Sequence, residues 1–201
     1  MFDSAFWLIF LGVFVVLALY VIGLYNQLVS LRNRFKNAFS QIEVQLKRRH
    51  DLIPNLVETA KAYMTHERGT LVAVTEARNI AASCLKAAAA EPGSAPSMAQ
   101  LGKNEGRLNV AMDNLNVTLE EYPDLYASET MMQLSDEMTH TEDRIAYARQ
   151  FFNDSVMEYN IFRQKFPTLL LAPTFGHGTD AALLEFDDSE QIQRAPTVSF
   201  T

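Results

Sequence analysis

The first 25 residues and the rest of the chain differ sharply in their pattern of apolar and polar positions. Residues 5–25 read AFWLIFLGVFVVLALYVIGLY, which is 21 residues without a charge. As a helix, this segment is about 31 Å long, close to the hydrocarbon thickness of a bilayer. A cleaved signal peptide is disfavoured because there is no basic N-terminal region and no small-residue cleavage site before Asn26. The pattern predicts a transmembrane anchor over residues 1–25.

The distribution of basic residues predicts the direction of this anchor. Arg32, Arg34 and Lys36 follow the apolar run closely, and no Lys or Arg precedes it. Loops rich in Lys and Arg remain on the cytoplasmic side of a membrane. We therefore expect the N-terminus to lie outside and the remainder of the chain to lie in the cytoplasm.

After the anchor, apolar residues recur in steps of three and four, which is typical of amphipathic helices. The first stripe is expected to continue the anchor helix and to end near Lys47–Arg49, because Asp51 is a suitable N-cap and Pro54 suits a first turn. Further helices are predicted over about 52–86, from about 98 to 122 with Ser97 as N-cap, and over 129–166 after Ser128.

Short connections between long helices favour antiparallel neighbours. The predicted fold class is therefore all-α, with an N-terminal transmembrane helix followed by an elongated antiparallel four-helix up-and-down bundle. We assign residues 1–25 to the anchor and 26–166 to the bundle. Residues 167–201, rich in Pro, Gly, Thr and Ser, are predicted to form an irregular, partly disordered tail.

Charge and composition narrow the classes of function. The net charge is −7, but residues 26–50 carry +5 and residues 51–201 carry −11. A mostly acidic body argues against nucleic acid as a partner, whereas Arg32, Arg34 and Lys36 lie close enough to the predicted span to attract anionic lipid. Residues 47–49, about 33 Å from the span along a straight helix, are too far away and are expected to cap the helix, to pair with acids of the bundle or to meet another chain. The single cysteine, Cys84, excludes an intramolecular disulfide and a thiolate cluster, and we expect it to be a buried structural thiol.

No residue pattern in the chain is typical of a catalytic, cofactor-binding or metal site, so we expect none of these and no cofactor. None of the four histidines stands at metal-ligand spacing with another ligand, and we expect surface or capping roles for them. The Phe175–Gly178 segment is expected to form a turn, and the acids of the tail a solvated surface. The histidines are His50, His66, His140 and His177, and the tail acids are Glu185, Asp187, Asp188 and Glu190.

Charged residues interrupt the apolar stripes and need partners if they are buried. Centring the interhelical turns near residues 92 and 125 places both Arg78 and Arg144 beside Glu105, which predicts a partly buried three-residue cluster. The alternative is that these long side chains reach solvent separately. The same register sets Met112 against Met138, and likewise Leu119 against Met131 and Met98 against Phe152.

Four segments together resemble the bacterial LemA family across nearly the whole chain. They are YNQLVSLRNRFKNAFSQIEVQLKRRHDLIPNLVETAKAYMTHE at 25–67, EEYPDL at 120–125, TEDRIAYARQFFNDSVMEYN at 141–160 and KFPTLLLA at 165–172. Phe152, where the family usually has Tyr, and Tyr126, where Lys is common, depart from the pattern. The resemblance implies a single-pass protein of the bacterial inner membrane with a cytoplasmic helical bundle and no assigned enzymatic activity.

The family also includes a magnetosome membrane protein, which implies a role in organising or shaping membrane. The first hypothesis is therefore a non-enzymatic scaffold that contacts membrane lipid and forms homo-oligomers through its anchor-proximal helices. The second is an adaptor or accessory subunit of another membrane protein, such as a membrane protease or a signalling enzyme. An enzyme with an unrecognised site is the third and least favoured hypothesis.

Overall fold

A computed structural model describes residues 2–64 and 66–186, with side chains from residue 6 onward. The described part is all-α, contains no strand, and begins with a long apolar helix, which confirms the predicted fold class. Counting this first helix, the described residues form six helices in chain order: α1 (Phe2–Lys61), α2 (Arg68–Ala90), α3 (Ala95–Leu119), α4 (Pro123–Tyr126), α5 (Glu129–Gln164) and α6 (Thr168–Leu171). A 3₁₀ turn, Ala172–Phe175, comes directly after α6.

Helix α1 passes through Pro54 without ending, so the predicted break near residues 47–54 is wrong. A proline lacks the N–H that would bond the carbonyl four residues earlier, which here belongs to His50. Nε of Arg78 on α2 donates to that carbonyl at 2.8 Å. Because the orphaned carbonyl is satisfied and Ile53, Leu56 and Val57 are buried, the helix continues to Lys61.

The Arg78 side chain donates the hydrogen bond that the backbone of Pro54 cannot donate, and this gives a testable prediction. Replacing Arg78 with Met should lower the free energy of unfolding by about 1 to 3 kcal/mol, the cost of an unsatisfied buried polar group. Pro54→Ala restores an N–H to the position that faces the His50 carbonyl, so the double variant should lose less than Arg78→Met alone. Urea unfolding of the full-length chain in mild detergent measures both, and equal losses would contradict the assignment.

The other helix boundaries also shift relative to the prediction. The second helix spans 68–90 rather than 52–86, and the third begins at Ala95, so that Ser94 rather than Ser97 occupies the N-cap position. Ser128 is the N-cap of α5 as expected, with its hydroxyl accepting a hydrogen bond from the Met131 amide.

The four long helices run alternately up and down. α1 packs antiparallel to both α5 and α2, and α2 packs antiparallel to α3. Cross-helix contacts fix these pairings: Phe39 stacks edge-on against Phe152 of α5, and Asn104 of α3 bonds Cys84 of α2. The loops before α2 and between α3 and α5 lie at the end remote from the anchor, while the α2–α3 loop and the end of α5 lie beside the anchor.

Two apolar clusters fill the bundle, and a layer of buried charge separates them. The anchor-proximal cluster centres on Phe35, Phe39 and Phe152, and the remote cluster on Ile53, Leu108 and Leu115. Between them lie Arg49 and His50 of α1 and Glu105 of α3, all of them buried.

Helices α3 and α5 leave a groove between them along the remote half of the bundle. A cavity of about 340 Å³ lies there, with Leu56, Met112 and Met138 among its lining residues. Met112 and Met138 both line this cavity, and the pairs Leu119–Met131 and Met98–Phe152 each fall within one apolar cluster. Helices α3 and α5 make almost no direct contact across the gap, so the predicted residue-by-residue register between them stays a prediction.

Residues 176–186 fill the anchor-proximal half of the space beside α5. This segment is neither helix nor strand, yet Leu184 and Phe186 are buried in the anchor-proximal cluster. The part of the expected tail from 167 to 186 is therefore packed against the bundle. The predicted tail acids Asp187 and Asp188, together with Glu190, lie outside the described residues.

Candidate functional site at the anchor-proximal end

The apolar part of α1 presents side chains to its surroundings on every face. Large hydrophobic residues from Phe6 to Ile22 are about half to two-thirds exposed, and no other element of the described chain covers them. The helix has the length and composition of a membrane span. A core helix of a water-soluble bundle would instead be largely covered by its neighbours. The ring of Tyr25 packs edge-on against Phe175, with centroids 5.2 Å apart, where the bundle begins.

The basic residues that follow the span have different environments. Arg34 Nη1 binds Glu158 Oε2 of α5 at 2.5 Å, with both side chains about half exposed. Such an exposed pair contributes little to stability. Arg32 and Lys36 instead line a cavity of about 550 Å³ between α1, the α2–α3 loop and the segment after α6. Neither of them forms an ion pair or side-chain hydrogen bond with the described residues.

A buried tyrosine and a buried histidine form one wall of this cavity. Tyr159 Oη and His177 Nδ1 lie 2.9 Å apart, and both residues are buried. Burial, followed by the charge of Arg32, lowers the pKa of His177, while burial raises the pKa of Tyr159 above its ordinary value. The Nδ1 of a neutral imidazole can accept the hydrogen bond that the phenol O–H donates. The expectation of a surface or capping role is therefore wrong for His177.

The lowered pKa of His177 predicts a pH dependence of stability. The unfolded chain binds a proton at His177 once the pH falls below about 6.5, whereas the folded chain resists that proton. Stability should therefore decrease as the pH falls below about 6.5. His177→Gln, which retains a hydrogen-bonding side chain, should show a shallower decrease in melting temperature between about pH 7 and pH 5.5. Parallel curves for the two proteins would contradict this.

Side chains of α5 hold the segment after α6 along the bundle. Arg163 Nε donates to Asp180 Oδ1 at 2.9 Å. Burial alone would raise the pKa of Asp180, but hydrogen bonds from Arg163 and Gln164 outweigh this effect and lower the pKa. Asn160 and Asn153, one heptad apart, each use both ends of the amide, bonding the N–H and C=O of Ala181 and of Leu184. The side-chain amides of Asn153 and Asn160, here called the amide clasp, therefore bind the backbone of the extended segment.

The buried charge layer has other members than the sequence predicted. Glu105 is 0% exposed, which agrees with a core charge, but its partners come from α1. His50 Nε2 lies 2.9 Å from Oε1 of Glu105, and Arg49 Nη1 lies 3.4 Å from Oε2. The predicted Arg78–Glu105–Arg144 cluster is wrong, because Arg78 serves the His50 carbonyl and Arg144 is exposed.

The remaining candidate residues agree with the predictions only in part. His66 and His140 are exposed, as expected. His50 is buried in the charge layer, so the expected surface or capping role is wrong for this residue. Cys84 is partly rather than fully buried, and its sulfur accepts from Asn104 Nδ2 at 3.3 Å. Within the described residues, no group of three or more His, Cys, Asp or Glu side chains is arranged to hold a metal.

Sequence reasoning missed the amide clasp and the cavity. Asn153 and Asn160 are seven residues apart and lie on one face of a helix, and this spacing could have indicated the clasp, because amides next to an apolar stripe require hydrogen-bond partners. The spacing does not show that the partner is the backbone of an extended segment elsewhere in the chain.

Comparison with known proteins gives relatives over most of the chain. Protein LemA of Metamycoplasma hominis is 28% identical over 139 residues, which cover 69% of this chain and 59% of that protein. Magnetosome protein MamQ of Magnetospirillum gryphiswaldense is 26% identical over 167 residues, covering 76% and 61%. Magnetosome protein MamQ 1 of Paramagnetospirillum magneticum is 24% identical over 163 residues. The chain thus spans about three-fifths of the length of these relatives.

The family model for LemA matches residues 38–200, well over half of the chain. The match takes in the charge layer, the amide clasp and the segment that the clasp holds. With the exposed apolar helix at the N-terminus, it indicates a membrane-associated helical protein. The chain belongs to the LemA family.

Proposed function

We propose that the chain is a non-enzymatic, membrane-anchored scaffold that self-assembles at the cytoplasmic face of the bacterial inner membrane and organises or shapes that membrane. The observation that carries the proposal is the continuity of α1 from the apolar span into the core of the bundle. A helix of 60 residues is about 90 Å long. Because no loop separates anchor from bundle, contacts between bundles constrain the orientation of the anchors in the bilayer.

The surface near the anchor supports self-association. Ile161, Phe166 and Leu170 are all exposed large hydrophobic residues beside the anchor-proximal end of α5. Apolar groups that remain uncovered in one chain are typical of interaction surfaces. The relatives named as magnetosome proteins support a role at an organised membrane structure, and none of the relatives carries the name of an enzyme.

The test uses the full-length chain in vesicles, with particle mass measured after extraction and vesicle shape measured by electron cryomicroscopy. We expect homo-oligomers and altered vesicle curvature. Phe166→Ser with Leu170→Ser should reduce both effects. Val110→Ser with Val117→Ser, which changes two exposed residues of α3 remote from the anchor, is the matched control. A monomer that leaves vesicle shape unchanged would overturn the proposal.

An adaptor for another membrane protein is the second candidate. The open groove between α3 and α5, with an apolar floor and polar rim, favours it as a place where another chain could bind. A monomer that co-purifies stoichiometrically with a membrane protease or signalling enzyme would support this candidate over the scaffold.

The orientation of the anchor is part of the proposal and has its own prediction. A reporter fused after Thr201 should report a cytoplasmic location, because the basic residues after the span remain inside. Replacing Arg32, Arg34 and Lys36 with Glu should produce mixed orientations of the reporter. A periplasmic reporter on the unmodified chain would reverse the proposed topology.

A further inference from the structure

We propose that the cavity lined by Arg32 and Lys36 binds a phosphate group, and that the group belongs to an anionic lipid headgroup. The inference deepens the proposed function and rests on its membrane anchoring. It assigns a lipid-binding site to one face of α1 instead of to the basic segment as a whole.

The cavity contains two cations that form no ion pair with the part of the chain that the structure describes. Arg32 and Lys36 are four residues apart on α1, which places them on the same face of the helix. Both line the cavity, and neither has an ion-pair or side-chain hydrogen-bond partner among the described residues. Arg34, between them in sequence, is instead engaged by Glu158 on α5. Two neighbouring cations on one helix face are suited to an anion with several acceptor oxygens.

The opposite wall contributes donors and little opposing charge. Ser94 and Ala95 at the N-terminus of α3 line the cavity, and Ser94 makes no side-chain bond to the first turn of this 25-residue helix. Unsatisfied N–H groups at a helix N-terminus favour anions, although Pro96 in this first turn has no N–H and leaves fewer donors than usual. Of the two acids in the lining, Asp180 is held by Arg163 and Gln164. The other, Glu91, is exposed at the end of α2 and opposes an anion.

The position of the cavity favours a lipid as the source of the phosphate. Arg32 follows Tyr25 by seven residues, or about 10 Å along α1. The headgroup layer extends about 5 to 7 Å beyond the hydrocarbon, and long basic side chains reach toward that layer. His177, in the cavity wall, lies two residues after Phe175, which packs on Tyr25 at the start of the bundle. The cavity therefore lies just beyond the headgroup layer, within reach of lipid phosphates through the long side chains of Arg32 and Lys36.

The experiment measures lipid retention by native mass spectrometry of the full-length chain in mild detergent, with phosphatidylglycerol and phosphatidylcholine added in equal amounts. The wild-type chain should retain phosphatidylglycerol preferentially. Arg32→Gln with Lys36→Gln should lower that retention at least about tenfold, because two charge-assisted contacts are lost. Glu91→Gln should raise retention, because it removes the opposing charge.

The matched control is Arg34→Gln with Lys165→Gln. It removes the same number of positive charges at the same end of the bundle but outside the cavity, since Arg34 pairs with Glu158 and Lys165 lines a separate groove with Gln27 and Leu31. The control should retain phosphatidylglycerol as the wild-type chain does. Equal losses in the two double variants would show that net charge alone attracts lipid and would overturn the site. Unchanged retention in both variants would overturn it as well.

A second arm distinguishes the lipid from a soluble anion. Inorganic phosphate is titrated against the detergent-solubilised chain while the melting temperature is followed. Stabilisation by inorganic phosphate that depends on Arg32 and Lys36, without preference for phosphatidylglycerol, would overturn the lipid source. Both arms measure binding to the detergent-solubilised chain whatever its oligomeric state, so their results do not depend on whether the chain assembles or bends membrane.

Discussion

Replacing Glu105 with Gln is expected to lower the free energy of unfolding of the full-length chain by about 3 to 5 kcal/mol, the usual cost of removing one partner from a buried charge pair. Glu105 is 0% exposed, and Arg49 and His50 are 3% and 2% exposed. The substitution preserves the size of the side chain but removes its charge. Arg49 would then keep Asn109 and the more distant, half-exposed Glu142 as partners.

Urea unfolding in mild detergent, followed by circular dichroism, measures the effect. Glu76→Gln on the exposed face of α2 is the matched control and should change stability by no more than about 0.5 kcal/mol. Adding Arg49→Met to Glu105→Gln should recover part of the loss, because the buried cation that lost its buried carboxylate partner is then removed. A loss within the control range would show that the charge layer does not stabilise the bundle.

The residues of this layer show which features of the fold could be predicted from the sequence. Glu105 interrupts an apolar stripe, so periodicity placed it on the core side of its helix and left open whether its carboxylate is buried or reaches solvent. Its partners did not, because they depend on how α1 is rotated and how far it extends. Placing a helix boundary at residues 47–54 separated Arg49 and His50 from the core in the prediction. In the structure, the same two residues lie in the middle of a continuous helix.

Pro54 shows why that boundary was misplaced. Local rules treat an interior proline as a helix terminator, since one carbonyl loses its donor. Here Arg78, which is distant in sequence, supplies the missing donor. The sequence instead predicts that Arg78 forms an ion pair with Glu105 in the core. The apolar N-terminal helix and the Ser128 cap were predictable because they depend on adjacent residues. The candidate lipid site was not, since its wall combines α1, a loop and the segment after α6.

Replacing Gly102 with Val should release the segment after α6 from the bundle. A Cβ added at Gly102 would collide with the carbonyl oxygen of Glu185, and backbone atoms cannot move aside as a flexible side chain can. Leu184 and Phe186 are buried beside this contact. Losing the burial of two such side chains corresponds to about 3 to 6 kcal/mol. We therefore expect a large loss of stability and exposure of the segment.

Hydrogen exchange of the Ala182 and Leu184 amides gives the local measurement. In the native chain these amides donate to the Gly93 carbonyl and to Asn153 Oδ1. Both should exchange rapidly in Gly102→Val, and Asn153→Ala should speed exchange of Leu184 without adding bulk. Gly69→Ala, where an added Cβ meets nothing within 4 Å, is the control and should leave both amides protected. Protection that persists in Gly102→Val would mean that α3 shifts to accommodate the side chain, and that the close approach at Gly102 does not hold the segment in place.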